Sequence, residues 1–160
     1  MYISVQDRLV QEITELMYYN IPCTYMRGGT SRALIFQKKD LPADKTLWPE
    51  LFMKALGVRM TVAGLSAMGV DFPTHKIAVI SPHEGDDADV DYDFFQTDDE
   101  NYYVDNRGNC GNMSSAVGPY AIDEGMVEAK EPETIVRIFN TNTKRDHKKP
   151  CFSKKWKKLH

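Results

Sequence analysis

At 160 residues, with 42% hydrophobic and 27% charged residues, the chain is long enough for one domain with a real core and short for two. That composition excludes disorder over most of the length, and no apolar run approaches the ~18 residues of a membrane span. The net charge of −3 conceals a split: residues 144–160 hold eight of the 20 Lys and Arg but one of the 23 acids, so an acidic body carries a basic tail.

The three cysteines, Cys23, Cys110 and Cys151, form no CxxC pair and no Cys/His cluster with zinc spacing, and an odd number argues against a disulfide framework. No basic-apolar-small leader opens the chain, so a cytoplasmic location is expected.

Residues 1–20 read as an N-terminal extension. Leu9, Ile13, Leu16 and Met17 recur at helical spacing among charged residues, which predicts a short amphipathic helix, either docked on the domain or used as a dimer contact. Residues 21–27 then read as a strand entering Arg27-Gly28-Gly29-Thr30-Ser31, and residues 33–37 as the strand leaving it. Paired glycines at a strand end form either a hairpin turn or an anion cradle, in which backbone N–H groups, Arg27 and the two hydroxyls face a carboxylate.

After Asp40-Leu41-Pro42, residues 46–56 predict a helix with Leu47, Leu51 and Leu56 inward and Gly57 as its stop. Residues 63–73 are aperiodic and read as a loop. Residues 76–81 form an apolar run behind Lys76 and predict a buried strand. A lysine at such a strand end is either solvated or held for proton exchange.

Asp86, Asp87, Asp89, Asp91 and Asp93 invite a calcium reading. Val90 stands where a calcium loop requires glycine, however, and no bidentate Glu closes the stretch. Alternation of the aspartates with Val90, Tyr92 and Phe94 instead predicts a strand with one wet face, and no metal site is assigned.

A short strand over residues 102–105 leads to Asn109-Cys110-Gly111-Asn112 and a helix over about residues 112–124, nearly free of charge and therefore enclosed. Pro119 should kink that helix and Gly125 should stop it. Cys110 stands where a loop feeds a helix N-terminus, a position whose unpaired N–H groups favour thiolate and can hold a carboxylate. A buried cysteine packing as a small hydrophobe is the plainer alternative, and these four residues alone leave both open. Residues 134–139 predict a final strand before Asn140-Thr141-Asn142-Thr143. From residue 145 to 160 apolar periodicity is lost, and the segment reads as a disordered basic tail. A nucleic-acid-binding arm with Phe152 and Trp156 as stacking residues is the less favoured reading of it.

The blocks Pro22-Cys23-Thr24-Tyr25-Met26-Arg27-Gly28-Gly29-Thr30-Ser31, Thr74-His75-Lys76-Ile77-Ala78-Val79, Asp89-Val90-Asp91-Tyr92, Asn109 to Asn112 and Val136 to Thr143, in that order and spacing, resemble the PrpF family over residues 21–144. His75 and Arg32-Ala33 depart from that family's usual pattern.

The resemblance implies an α+β fold of the diaminopimelate epimerase kind, a mostly antiparallel sheet wrapped around a central helix. It implies isomerisation of an unsaturated di- or tricarboxylic acid by moving a proton along an allylic system, without a cofactor. On this chain Lys76 and Cys110 would be catalytic, with Arg27, Gly28, Gly29, Thr30, Ser31, Asn109, Gly111 and Asn112 binding substrate. Family members are longer, with two similar domains and the site in the cleft between them, and this chain resembles the first domain. A second copy or a separately encoded second half is the expected partner, nucleic acid and membrane are not, and a catalytically inactive remnant or small interaction protein is the alternative.

Overall fold

The computed structural model describes residues 20–56, 75–98, 101 and 103–151. In chain order the elements are β1 (Thr24–Gly28), β2 (Ser31–Gln37), α1 (Trp48–Ala55), β3 (Lys76–Pro82), β4 (Val90–Asp98), β5 (Tyr103–Asp105), α2 (Gly111–Asp123), β6 (Thr134–Asn140) and β7 (Arg145–Cys151). The strands form one sheet in the order β1-β2-β3-β4-β6-β7, with β5 also paired to β4. β2 runs parallel to β3 and β4 parallel to β6; every other pairing is antiparallel.

Side chains alternate across a strand, so a run that is apolar at every position needs cover on both faces. β2 and β3 have it. Ala33, Ile35, Ala78 and Ile80 pack with Met113, Val117 and Tyr120 of α2, whereas Leu34, Phe36, Ile77 and Val79 pack with Trp48, Phe52 and Leu56 around α1. α2 touches β1 at one edge of the sheet and β7 at the other, so the sheet curls around it. This is the α+β architecture expected from the sequence.

The near absence of charge on α2 is explained by that enclosure: Met113, Ser114, Ala116, Val117, Gly118, Tyr120 and Ala121 are all buried. Pro119 does not end the helix, which runs on to Asp123. Gly125, at φ +71°, does stop it. Its N–H donates to the Ile122 carbonyl at 3.0 Å and the Met126 N–H to that of Ala121 at 2.8 Å, the paired bonds of a Schellman cap.

Two expectations are corrected. The helix predicted over residues 46–56 begins as a 3₁₀ turn at Lys45–Leu47, capped by Asp44, and only then becomes α1. The tighter turn resets the phase, so Leu47 is exposed and Trp48, Phe52, Met53 and Leu56 face inward. The tail predicted to be disordered from residue 145 instead supplies β7, antiparallel to β6 from Asn140 opposite Arg145 to Thr134 opposite Cys151. β6 is therefore not the last strand. A polar edge strand is held by backbone bonds on one side, so apolar periodicity does not reveal it, and Pro150 is tolerated in such a strand. The expected N-terminal helix, the 63–73 loop, Gly57 and residues 152–160 lie outside the described residues.

Asp87, Asp89, Asp91 and Asp93 are engaged with protein partners. Asp89 accepts from the Arg137 backbone N–H at 2.7 Å and from its guanidinium Nη2 at 2.6 Å, which holds its carboxyl below the usual range. His83 joins Asp91 at 2.6 Å to Asp87 at 2.9 Å. Among the described residues no group of three His, Cys, Asp or Glu is arranged to hold a metal ion.

Candidate active site

Alternation decides which side chains reach the N-terminus of α2. Lys76 shares a face of β3 with Ala78 and Ile80, and Ser31 shares a face of β2 with Ala33 and Ile35; those four apolar residues all belong to the core around α2. Because β2 and β3 are parallel, their first residues, Ser31 and Lys76, stand at the same end of the sheet. Cys110 arrives at that end as the N-cap of α2 and packs against the same core.

The Cys110 backbone is extended, and its carbonyl accepts from the Ser114 N–H at 2.9 Å to start the helix. Its Sγ lies 3.7 Å from Ser31 Oγ, and either atom can donate. Lys76 is 6% exposed. Burial pushes its ammonium below the ordinary lysine value, and the negative charge of a Cys110 thiolate opposes that shift, so the two side chains are electrostatic neighbours. The strand carrying Lys76 is anchored just upstream, where the His75 carbonyl accepts from Gln96 Nε2 at 2.7 Å and from the Thr97 N–H at 3.0 Å.

The Arg27–Ser31 stretch is a hairpin turn with Gly29 and Thr30 at its tip, and Gly29 has a φ of +54° that glycine adopts without steric cost. The hairpin also forms one wall beside Cys110. Asn112 Nδ2 donates to Thr30 Oγ1 at 2.9 Å, which joins the two glycine-bearing motifs. At Gly111 a Cβ would meet nothing within 4 Å, so the backbone there is open to an incoming group.

Of the residues singled out in the sequence, the fold brings Gly28, Gly29, Thr30, Ser31, Lys76, Asn109, Cys110, Gly111 and Asn112 to this end of the sheet. Arg27 differs. It lies on the face of β1 opposite Met26, exposed, with Nε donating to the Gly29 carbonyl at 2.8 Å, so its guanidinium sits on the outer rim of the hairpin. Sequence reasoning missed Tyr92, whose buried hydroxyl donates to the Cys110 carbonyl at 3.5 Å and whose acidity burial suppresses. A tyrosine at an inward position of a strand was the available signal, since its hydroxyl needs a partner.

Residues 18–147 match the family model described as PrpF protein. The chain belongs to the PrpF family. Its relatives include 3-methylitaconate isomerase of Eubacterium barkeri, 48% identical over 126 residues that cover 77% of this chain and 32% of that protein. The 4-oxalomesaconate tautomerase of Pseudomonas putida is 42% identical over 125 residues, covering 77% of this chain and 34% of that protein. The crystal structure of methylitaconate-delta-isomerase superposes with a TM-score of 0.79 at 41% identity, covering 84% of this chain and 35% of that one. This PrpF chain thus spans about a third of the length of the curated relatives it matches. Among its described residues no helix is long and apolar enough to cross a membrane.

Proposed function

We propose that this chain carries the acid–base centre of an isomerase or tautomerase that moves a proton along an allylic system in an unsaturated di- or tricarboxylic acid. The observation that carries the reading is a buried lysine that is the electrostatic neighbour of a cysteine at the N-terminus of an enclosed helix. Relatives named 3-methylitaconate isomerase, 4-oxalomesaconate tautomerase and 2-methyl-aconitate isomerase support the substrate class.

Burial shifts Lys76 towards its neutral amine, and an amine beside a thiol is a pair in which either group can accept a proton while the other supplies one. One of them removes a proton from carbon alpha or gamma to a carboxylate. The electron pair spreads into a dienolate, and the other group returns a proton at the far end, so the double bond moves. These steps use no cofactor. Backbone N–H groups of the Gly28-Gly29 turn and of the first turn of α2, with Thr30, Ser31, Asn109, Gly111 and Asn112, hold the carboxylates and take up the developing charge; Arg27 adds a cation at the rim.

The reading includes a partner that covers the site: a second domain, a second copy or a separately encoded half. Gly29, Thr30, Asn109, Gly111 and Asn112 are exposed, and a dienolate is protected by excluding water. The free thiols Cys23 and Cys110 fit a reducing compartment, and a cytoplasmic location is part of the proposal. The same openness favours the second reading, a small interaction protein without activity.

Incubation with aconitate analogues and 4-oxalomesaconate in deuterated water, followed by NMR, separates the two. Carbon-bound deuterium that is lost in both Cys110→Ser and Lys76→Ala is the expected result. No exchange from the folded protein, at concentrations where self-association is complete and with any second half added, would overturn the enzyme reading.

A further inference from the structure

The Asn140-Thr141-Asn142-Thr143 segment belongs to no step above, yet its side chains bond to the strand and loop beside Cys110. β6 stops pairing with β4 where Asn140 stands opposite Tyr92. Beyond that point the Asn142 carboxamide replaces a peptide unit: its Oδ1 accepts from the Phe94 N–H at 2.7 Å and its Nδ2 donates to the Phe94 carbonyl at 2.9 Å. The same Nδ2 lies 2.5 Å from the Asn106 carbonyl, at the start of the loop that delivers Cys110, and 3.1 Å from Asp93 Oδ1.

Asn140 takes the other end of that loop. It is fully buried, and its Oδ1 is fixed by the Thr143 N–H and hydroxyl, each at 2.8 Å. That orientation aims Nδ2 outward to donate to Asn109 Oδ1 at 3.2 Å, one residue before Cys110. Between the two, Thr141 donates to the Tyr92 carbonyl through its N–H at 3.1 Å, on the residue whose hydroxyl meets the Cys110 carbonyl.

We propose that Asn140 and Asn142 are positioning residues that grip residues 106–109 at both ends and so set where the Cys110 sulfur stands relative to Lys76 and Ser31. The inference rests on Cys110 being the reactive group of the proposed site. A loop held by backbone and carboxamide bonds at two points has little freedom to turn, and a displacement of about an ångström at a reacting group is enough to change its rate.

The test reads the cysteine without turnover. In the full 160-residue chain, the rate of Cys110 carbamidomethylation by iodoacetamide at fixed pH is measured by peptide mass spectrometry, which reads it separately from Cys23 and Cys151. Backbone NMR shifts of Gly111 and Asn112 are recorded alongside. Asn142→Asp keeps the acceptor for Phe94 and removes the donors; Asn140→Ala removes the bond to Asn109. Each is expected to change the Cys110 rate about threefold or more and to move the Gly111 and Asn112 signals. Ile138→Val, a core control on β6 whose side chain makes none of these hydrogen bonds, should lower the melting temperature and leave rate and shifts alone.

Parental rates and shifts in both folded asparagine variants would overturn the proposal, as would an equal change in Ile138→Val. If neither buried variant folds, Asn109→Ala removes the Asn140 bond from the exposed side and decides the matter by the same readouts. Absence of deuterium exchange in the parent sinks the isomerase reading but leaves the alkylation comparison intact, so the two failures are told apart.

Discussion

Gly28, at the end of β1, lies directly beneath the Asn112 carbonyl at the start of α2. A Cβ at Gly28 would run into that oxygen and sit 3.1 Å from Met113 Cα. The φ of Gly28 is not left-handed, so space alone demands glycine here. Gly28→Ala is expected to cost about 1–3 kcal/mol, because the obstructing atoms are backbone and cannot rotate away. Urea denaturation checks the stability. Deuterium exchange should fall further than unfolding explains, since α2 carries Cys110 at its N-terminus.

The outer core around α1 distinguishes the observed helix phase from the one expected. Phe52 is fully buried, with its ring centroid 5.0 Å from Phe95 and 5.7 Å from Phe36. Phe52→Ala should therefore cost about 3–5 kcal/mol. Leu47, at 45% exposed, should tolerate Leu47→Ala within about 0.5 kcal/mol. Equal losses at the two positions would contradict the phase set by the 3₁₀ turn.

Burying Lys76 costs stability. Its folded pKa lies below the lysine value of 10.5, so the unfolded chain binds the proton more tightly. The resulting penalty is absent above pH 10.5, grows as pH falls towards the folded pKa, and is complete below it. Lys76→Met should remove this pH-dependent penalty, so its stability relative to the parent is highest near neutral pH and falls as pH approaches the lysine value, while deuterium exchange is abolished. Denaturation curves at neutral and alkaline pH read both parts.

His83 makes the opposite contribution. Its hydrogen bond to Asp91, helped by Asp87, raises its pKa above 6.5. A raised folded pKa gives stability that is fully present below pH 6.5 and is lost as pH rises through the folded value. The melting temperature of His83→Gln should lie below that of the parent in mildly acidic solution, and the two should converge at alkaline pH. A constant difference across that range would show that the ring matters only through its packing on Phe139, 5.4 Å away.

The sequence by itself determined the family, through the order of the RGGTS, THK, NCGN and NTNT blocks, and two elements whose patterns admit few alternatives. β3 announces itself as an apolar run too continuous for a one-faced sheet, and α2 as a helix too apolar for a surface. Those are local signals, and the core is built from them. Other features had no local signal. β7 consists of Arg145–Cys151, held to β6 by backbone bonds that any side chains permit, and Leu47 faces outward because it ends the 3₁₀ turn that precedes α1.

The site was decided at longer range. That Ser31 and Lys76 begin their strands was legible in part; that they stand at the same end and on the same face follows from the parallel pairing of β2 with β3 and the parity of their residues. That pairing brings both to Cys110, 79 positions from Ser31 in the chain. The same parity turns Arg27 outward and Tyr92 inward. Motif residues name the available chemistry, but only pairing register and strand alternation select which of them share a face, because a shift of one residue reverses every side chain.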